Sequence, residues 1–458
     1  MRLYSLIAIC ALAGCMSNHP DAQVSKSYPD ATAGGLALPA MQTFGPVAHS
    51  ATSRPNGEIA QDFLDLEFQL ESGRNLAVLS RFEGPITVAL TGAVPASAPA
   101  EMTKLISRFR TEAGLDIGYA APGQDASITV EFLPRAQMQR VVPLAACFVA
   151  PRVRNFAEFK AAHRGGAADW TSVTERQHAA IFVPADTSPQ EIRDCLNEET
   201  AQAMGPLNDL YRLPDSVFND DNFNSVLTSF DMLMLRLHYA PQLHSGMTKA
   251  EVAAYLPGLL AQMNPAGNVS GARTARATPR AWEAAVEGAF SPRSSAATRQ
   301  ADAAKMVSIA KSQGLSDARL AFSYYADGRS LASKDPAQAM QLLNAANGVY
   351  AGIPGAQVHM AHVDMQLAAI ALAAGEPDQA IAYADRSIPV ARRAENAALL
   401  ATLMLVKAEA LDALGDAAQA RALRLDSLGW ARYGFGAEAQ VQARQAEIAT
   451  LAARGRKG

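Results

Sequence analysis

No excess of positive charge runs through this chain: 40 Lys and Arg against 44 Asp and Glu leave a net charge of -4 and a pI near 6.1. Without a basic footprint, nucleic-acid binding is set aside. Also absent are a G-x-S-x-G elbow, a phosphate-cradling Walker loop, a dinucleotide fingerprint and EF-hand spacing. Ser308-Ile309-Ala310-Lys311 matches S-x-x-K, but the S-D-N and K-T-G elements that would give it meaning are missing, so it reads as coincidence. What is present is 458 residues with 49% hydrophobic content. That is enough for two or three cores and unlike a disordered or collagen-like chain.

Residues 1–15 read as an address. Arg2 supplies a thin positive region, and Leu3 to Ala13 is an apolar run too short to span a bilayer. It ends in Leu12-Ala13-Gly14-Cys15, which resembles the bacterial lipoprotein box, so Cys15 is the expected lipidation site. Met16 is not the aspartate of inner-membrane retention. The resemblance therefore implies a Gram-negative-type envelope and a lipid-anchored, periplasm-facing protein of the outer membrane. Residues 16–55, rich in Ser, Ala, Pro and Gly, read as a flexible tether with a reach of roughly 35 Å. Cys10 leaves with the signal, so Cys147 and Cys195 remain as an even pair in an oxidising compartment, where a disulfide is favoured over free thiols.

Residues 56–264 alternate between helical and strand patterns. A helix is predicted from Asn56 to Leu70, a strand over 84–90, a helix over 100–113 and strands at 127–132, 146–149 and 178–184. Ser188-Pro189-Gln190-Glu191 then opens a helix as a capping box with proline in its first position. That helix carries Glu198-Glu199-Thr200-Ala201-Gln202-Ala203-Met204-Gly205-Pro206-Leu207-Asn208. The run keeps the spacing of the metzincin motif H-E-x-x-H-x-x-G-x-x-H. Glu198, Gln202 and Asn208 stand at the three ligand positions, Glu199 at the catalytic-base position and Gly205 at the turn. Asp215-Ser216-Val217-Phe218 lies where metzincins place the methionine turn, with Phe218 instead of methionine, and residues 227–239 resemble their closing helix. Cys195-Leu196, the segment 202–209, Ser216-Val217-Phe218-Asn219-Asp220 and Leu235-Arg236 near Pro241 are also similar to a bacterial lipoprotein family, the domain of unknown function numbered 2927. The resemblance implies a zincin-like domain that has lost its histidines.

Zinc prefers imidazole and thiolate, and its catalytic sites usually hold two histidines. One carboxylate and two amides argue against it, so no zinc is expected. Glu198, Glu199, Asn208, Asp209, Asp215, Asn219, Asp220 and Asp221 form an oxygen-rich set better suited to calcium or another hard cation, although solvated turns and caps are the plainer reading. Glu198, Glu199 and Gln202 are expected to bond to Asn208, Ser216 or the first strand, and strand 128–132 is read as an edge able to take a peptide. His359 and His362 read as a polar helix face, and His238 and His244 flank the closing helix near the cleft.

Residues 265–297 read as a linker, and residues 298–458 as an all-α repeat. Lys334-Asp335-Pro336-Ala337-Gln338-Ala339, Gly375-Glu376-Pro377-Asp378-Gln379-Ala380 and Gly415-Asp416-Ala417-Ala418-Gln419-Ala420 recur at a period of about 40 residues. Each resembles the tetratricopeptide turn, in which glycine ends one helix and alanine lets the next pack closely. The expected fold is an α+β zincin-like domain followed by a tetratricopeptide-like array. The expected function is a membrane-anchored, non-catalytic envelope lipoprotein whose repeats bind a protein or peptide partner. The alternative is an atypical metal-dependent hydrolase in which Glu199 serves as base.

Overall fold

The structure is a computed structural model that describes residues 38–45, 52, 54–270 and 274–455. Residues 1–15, including Cys15, and most of the tether lie outside the described residues. The chain divides into two compact units: residues 46–277, and residues 278–458 together with the stretch up to residue 45.

The first unit is α/β. In chain order it runs α1 (Asn56–Glu67), β1 (Ile86–Gly92), α2 (Ala98–Glu112), β2 (Ile117–Tyr119), β3 (Ile128–Leu133), α3 (Arg135–Gln139), β4 (Phe148–Pro151), α4 (Phe156–Ala162), β5 (Ala179–Pro184), α5 (Pro189–Met204), α6 (Ser229–His238) and α7 (Lys249–Met263). The five strands lie in the order β2-β1-β3-β5-β4, all parallel to their neighbours except β4, which runs antiparallel to β5. Parallel strands need helical crossovers, and these leave the sheet covered on both faces. Ala179, Ile181 and Val183 accordingly join the main core under α1, α2 and α5, while the intervening Ala180 and Phe182 join a smaller cluster with Phe156 and Phe159 of α4.

This cover corrects one expectation. Residues 128–132 are no edge, because β3 is hydrogen-bonded to β1 on one side and β5 on the other. Its alternating polar residues face the second, smaller core instead, where Glu131 accepts a hydrogen bond from the Phe156 amide. The strand with a free edge on that side of the sheet is β4.

Cys147, just ahead of β4, is disulfide-bonded to Cys195 of α5, with the Cα atoms 6.0 Å apart. The bond fastens the edge strand to the motif helix.

The second unit is all-helical: α8 (Arg280–Phe290), α9 (Ala296–Ser312), α10 (Ala318–Leu331), α11 (Pro336–Tyr350), α12 (Gln357–Ala373), α13 (Pro377–Arg393), α14 (Ala397–Ala413), α15 (Ala417–Phe435) and α16 (Glu438–Gly455). The three recurring hexapeptides begin α11, α13 and α15. Asp335 and Asp416 cap the amides of Gln338 and Gln419, and Ala339, Ala380 and Ala420 are fully buried. Gly375 and Gly415 take φ of 77° and 87°, the left-handed geometry that ends a helix and suits glycine. Helices α12 and α14 are apolar nearly all round because they form the inner layer, and α16 packs across both.

Two stretches do more than connect. Within residues 265–297, Trp282 of α8 is buried and its indole N–H donates to Ser323 Oγ at 2.9 Å. Within residues 16–55, the segment 38–45 lies on α15. Gln42 N donates to Gly429 O at 3.0 Å, Arg432 Nη1 donates to Pro39 O at 2.6 Å, and Phe44 packs 4.6 Å from the Trp430 ring. Gly429 is required there, since a Cβ would sit 2.8 Å from Gln42 Cγ.

Replacing Cys147 and Cys195 together by serine is expected to lower the unfolding free energy of the first unit by about 2–4 kcal/mol, by release of a loop this long in the unfolded chain. Urea denaturation followed by tryptophan fluorescence measures it; an unchanged midpoint contradicts the expectation.

Candidate functional site

Helix α5 starts as the sequence suggests, with Ser188 Oγ accepting from the Glu191 amide and Pro189 at the first position. The return arm of the box is diverted: the Glu191 carboxylate pairs with Arg135 and Thr187.

Its C-terminus ends inside the protein, where unsatisfied carbonyls are costly. Arg176, buried in the loop before β5, resolves this by donating Nη1 to Gln202 O (2.7 Å) and Ala203 O (2.8 Å), and Nη2 to Gly205 O (2.6 Å). The Tyr239 hydroxyl donates to Met204 O at 2.9 Å. The guanidinium stacks 4.9 Å from the Trp170 ring. A cation at this end also suits the helix dipole. Gly205 then turns the chain back to α1, where a Cβ would sit only 3.1 Å from Leu235 Cδ2, and Leu207 N donates to Leu66 O.

That return decides what happens at the motif positions. Asn208 is buried, and its Nδ2 donates to Asp65 O at 2.9 Å, so this side chain is spent on bracing α1. Its neighbour Asp209 is the one that meets the motif helix, accepting from Gln202 Nε2 at 3.3 Å. Ser216 donates to Asp231 Oδ1 at 2.5 Å, and Asp231 also accepts from the Val217 and Thr228 amides. These bonds fix the turn that carries the fully buried Phe218. The expected bonding of Glu198, Glu199 and Gln202 to Asn208 or Ser216 is thus replaced by Gln202 with Asp209, Asn208 with Asp65 and Ser216 with Asp231.

Around Glu198 and Glu199 the electrostatics are one-sided. Glu199 is 5% exposed, and its Oε2 is buried with no hydrogen-bond partner; Asp209 Oδ1 is in the same state. Burial, then Asp220 and Glu71, pushes Glu198 up to about 8. Burial, then Glu198 and Glu71, raises Glu199 well above the usual carboxylate range, and burial, then Glu71 and Asp220, does the same to Asp209. Among the described residues, Glu71, Asp209 and Asp220 bring carboxylate oxygens within 4.8 Å of one another. Glu71 lies in the loop after α1 and escaped the sequence reading, because nothing local ties it to a motif more than a hundred residues away.

Zinc does not fit the three motif positions. Glu198 is the sole charged group, no imidazole or thiolate is offered, and Asn208 is turned to α1. His238 cannot supply the missing nitrogen: it is buried, with Nδ1 2.9 Å from Glu67 Oε1. His359 and His362 are also buried, so they form no exposed polar face; burial, with His359 and Arg329, pulls His362 down to about 3.

The architecture is an α/β unit with a five-stranded mixed sheet, followed by a helical repeat-like unit. Residues 56–258 match the family described as Protein of unknown function (DUF2927), which supports that family for the first unit. No curated protein and no solved structure matches the chain.

Arg176→Ala is expected to destabilise the first unit by about 3–5 kcal/mol, the usual result of emptying a buried charged position. Arg176→Lys should fall between, since one ammonium cannot reach three carbonyls on two sides. Urea denaturation, with hydrogen exchange at residues 205–208, reads both; wild-type exchange in Arg176→Ala would contradict the role. A carboxyl raised from 4.5 to about 8 stays protonated in the folded chain while ionising in the unfolded one. The chain in chelator should therefore lose stability as pH rises from about 4.5 to about 8. Glu198→Gln should flatten that decline; denaturation midpoints across the range test it.

Proposed function

We propose that this protein is an envelope lipoprotein, anchored through Cys15, whose first unit is a zincin-like domain without zinc catalysis and whose second unit is a tetratricopeptide-like module that binds a protein or peptide partner. The observation that carries this reading is the chemistry of the motif positions, where Asn208 braces α1 and no nitrogen or sulfur ligand replaces the missing histidines. Glu199 without such a Lewis acid has nothing to lower the pKa of an attacking water. The zincin-like assignment is supported by the order of strands, motif helix, glycine turn and buried Phe218 turn. The array assignment is supported by the three buried alanines that open α11, α13 and α15. A stack of this kind offers an extended surface for a partner.

A second reading, a hydrolase of atypical metal dependence, draws on one observation: the buried, unpartnered Glu199 oxygen in a cluster of perturbed acids, an arrangement that active sites share. Peptidase assays on the purified chain with a mixed peptide library, with and without added divalent cations, separate the two. The first reading expects identical, background hydrolysis from wild type and Glu199→Gln. Turnover lost in Glu199→Gln would establish the second. Labelled palmitate incorporated by wild type and not by Cys15→Ala is expected for the anchor.

A further inference from the structure

We propose that the face of α15 beneath residues 38–45 is a binding site for an extended peptide with one aromatic anchor, and that the chain's own segment fills it as a resident competitor. The site deepens the partner-binding reading of the helical unit and rests on it, adding the surface used and the chemistry of the partner.

The segment meets α15 as a bound peptide meets a receptor, through its main chain and one side chain. The carbonyls of Leu38 and Pro39 accept from Arg432 Nη1 at 3.4 and 2.6 Å, and the Gln42 amide donates to Gly429 O at 3.0 Å. Gln42 Nε2 adds a bond to Asp426 Oδ1 at 3.0 Å. Phe44 is the one buried side chain of residues 38–45, its ring 4.6 Å from that of Trp430 and 6.4 Å, edge-on, from that of Tyr433. Ala40, Met41, Thr43 and Gly45 are exposed. Main-chain bonds of this kind are open to many extended sequences, so the aromatic side chain carries the selectivity.

The helix side is built for close approach. Gly429 stands well inside α15, where glycine weakens a helix relative to alanine. Its use is at the surface: a Cβ there would meet Gln42 Cγ at 2.8 Å and Ala40 O at 3.1 Å. The extended chain lies where a side chain would otherwise be.

Two features mark residues 38–45 as an incompletely matched occupant. Trp430, on which Phe44 packs, keeps its Nε1 buried without an acceptor among the described residues, an uncompensated donor in the contact. Leu425, one turn before Gly429 and so on the same side of the helix, is 59% exposed. A partner peptide that covers Leu425 gains an apolar contact that the resident segment forgoes. As part of the same chain, the segment needs only weak intrinsic affinity to fill the site, and a partner displaces it by mass action.

The test uses the purified full chain in detergent and a fluorescein-labelled synthetic peptide of residues 38–45, followed by anisotropy. Phe44→Ala, which removes the resident anchor, should bind the peptide saturably and at least about tenfold more tightly than wild type does. Gly429→Ala added to Phe44→Ala should weaken that binding at least about tenfold, while alanine keeps α15 helical. Exchange of the Gln42 amide hydrogen should quicken in Gly429→Ala alone, and in wild type under excess unlabelled peptide. No saturable binding to Phe44→Ala, binding indifferent to Gly429→Ala, or equal binding by wild type overturns the site. Wild-type dimers that Gly429→Ala dissolves, seen by sedimentation, would make a second copy the occupant and overturn it too. Each of these leaves untouched the reading that another face of the helices binds a partner.

Discussion

The first unit is organised around the way Arg176 closes the end of α5. A helix that stops inside a protein leaves its last carbonyls facing apolar surroundings, and each needs a donor. Here a single guanidinium takes three of them and a tyrosine hydroxyl the fourth. This arrangement lets the chain reverse at Gly205 and run back along α1, which carries Asn208 to Asp65 and Asp209 to Gln202 of the motif helix. The disulfide at Cys195 holds the other half of α5 against β4. With both ends fastened, Glu198, Glu199 and Gln202 sit on a rigid element, and the candidate site inherits its geometry from groups that never touch it.

Charge is distributed unevenly about that helix. Arginines gather behind it and beside α1, where Arg54, Arg176 and Arg212 meet carbonyls or the acids Asp62, Asp65 and Asp215. At its front Glu198, Glu199 and Asp209 are raised by burial and by neighbouring carboxylates. Folding therefore stores electrostatic cost at one place, and such stored cost is characteristic of a position kept for something other than stability.

Much of the fold was legible because its signals are local. Strand patterns marked β1, β3 and β5, capping residues marked the start of α5, and the repeated hexapeptide marked α11, α13 and α15. The strand β2, three residues long, offers too short a pattern to register. β3 was expected to be an edge that takes a peptide in the manner of proteases; its pairing with β1 and β5, and the second core that α4 and its phenylalanines supply, are things the pattern of one strand cannot announce. The site was legible only in part for the same reason. Spacing along one helix located Glu198, Glu199 and Gln202, but spacing assigned the third position to Asn208, whereas the chain's path after Gly205 presents Asp209. Glu71 and Arg176 have no periodic signature at all, and only the tertiary path brings them to the helix.

The helical unit shows how a stretch of tether composition can still become structure. Residues 38–45 contain little apolar surface beyond Leu38, Met41 and Phe44, too little for a core of their own. On α15 they need none, since Gly429 opens the helix surface, Arg432 offers its guanidinium to the carbonyl of Pro39, and Phe44 completes a ring cluster with Trp430 and Tyr433. Each contact satisfies a group that an isolated segment would leave to water. The composition pointed to a flexible tether; what it could not reveal is that a surface elsewhere in the chain supplies the missing half of the packing for residues 38–45.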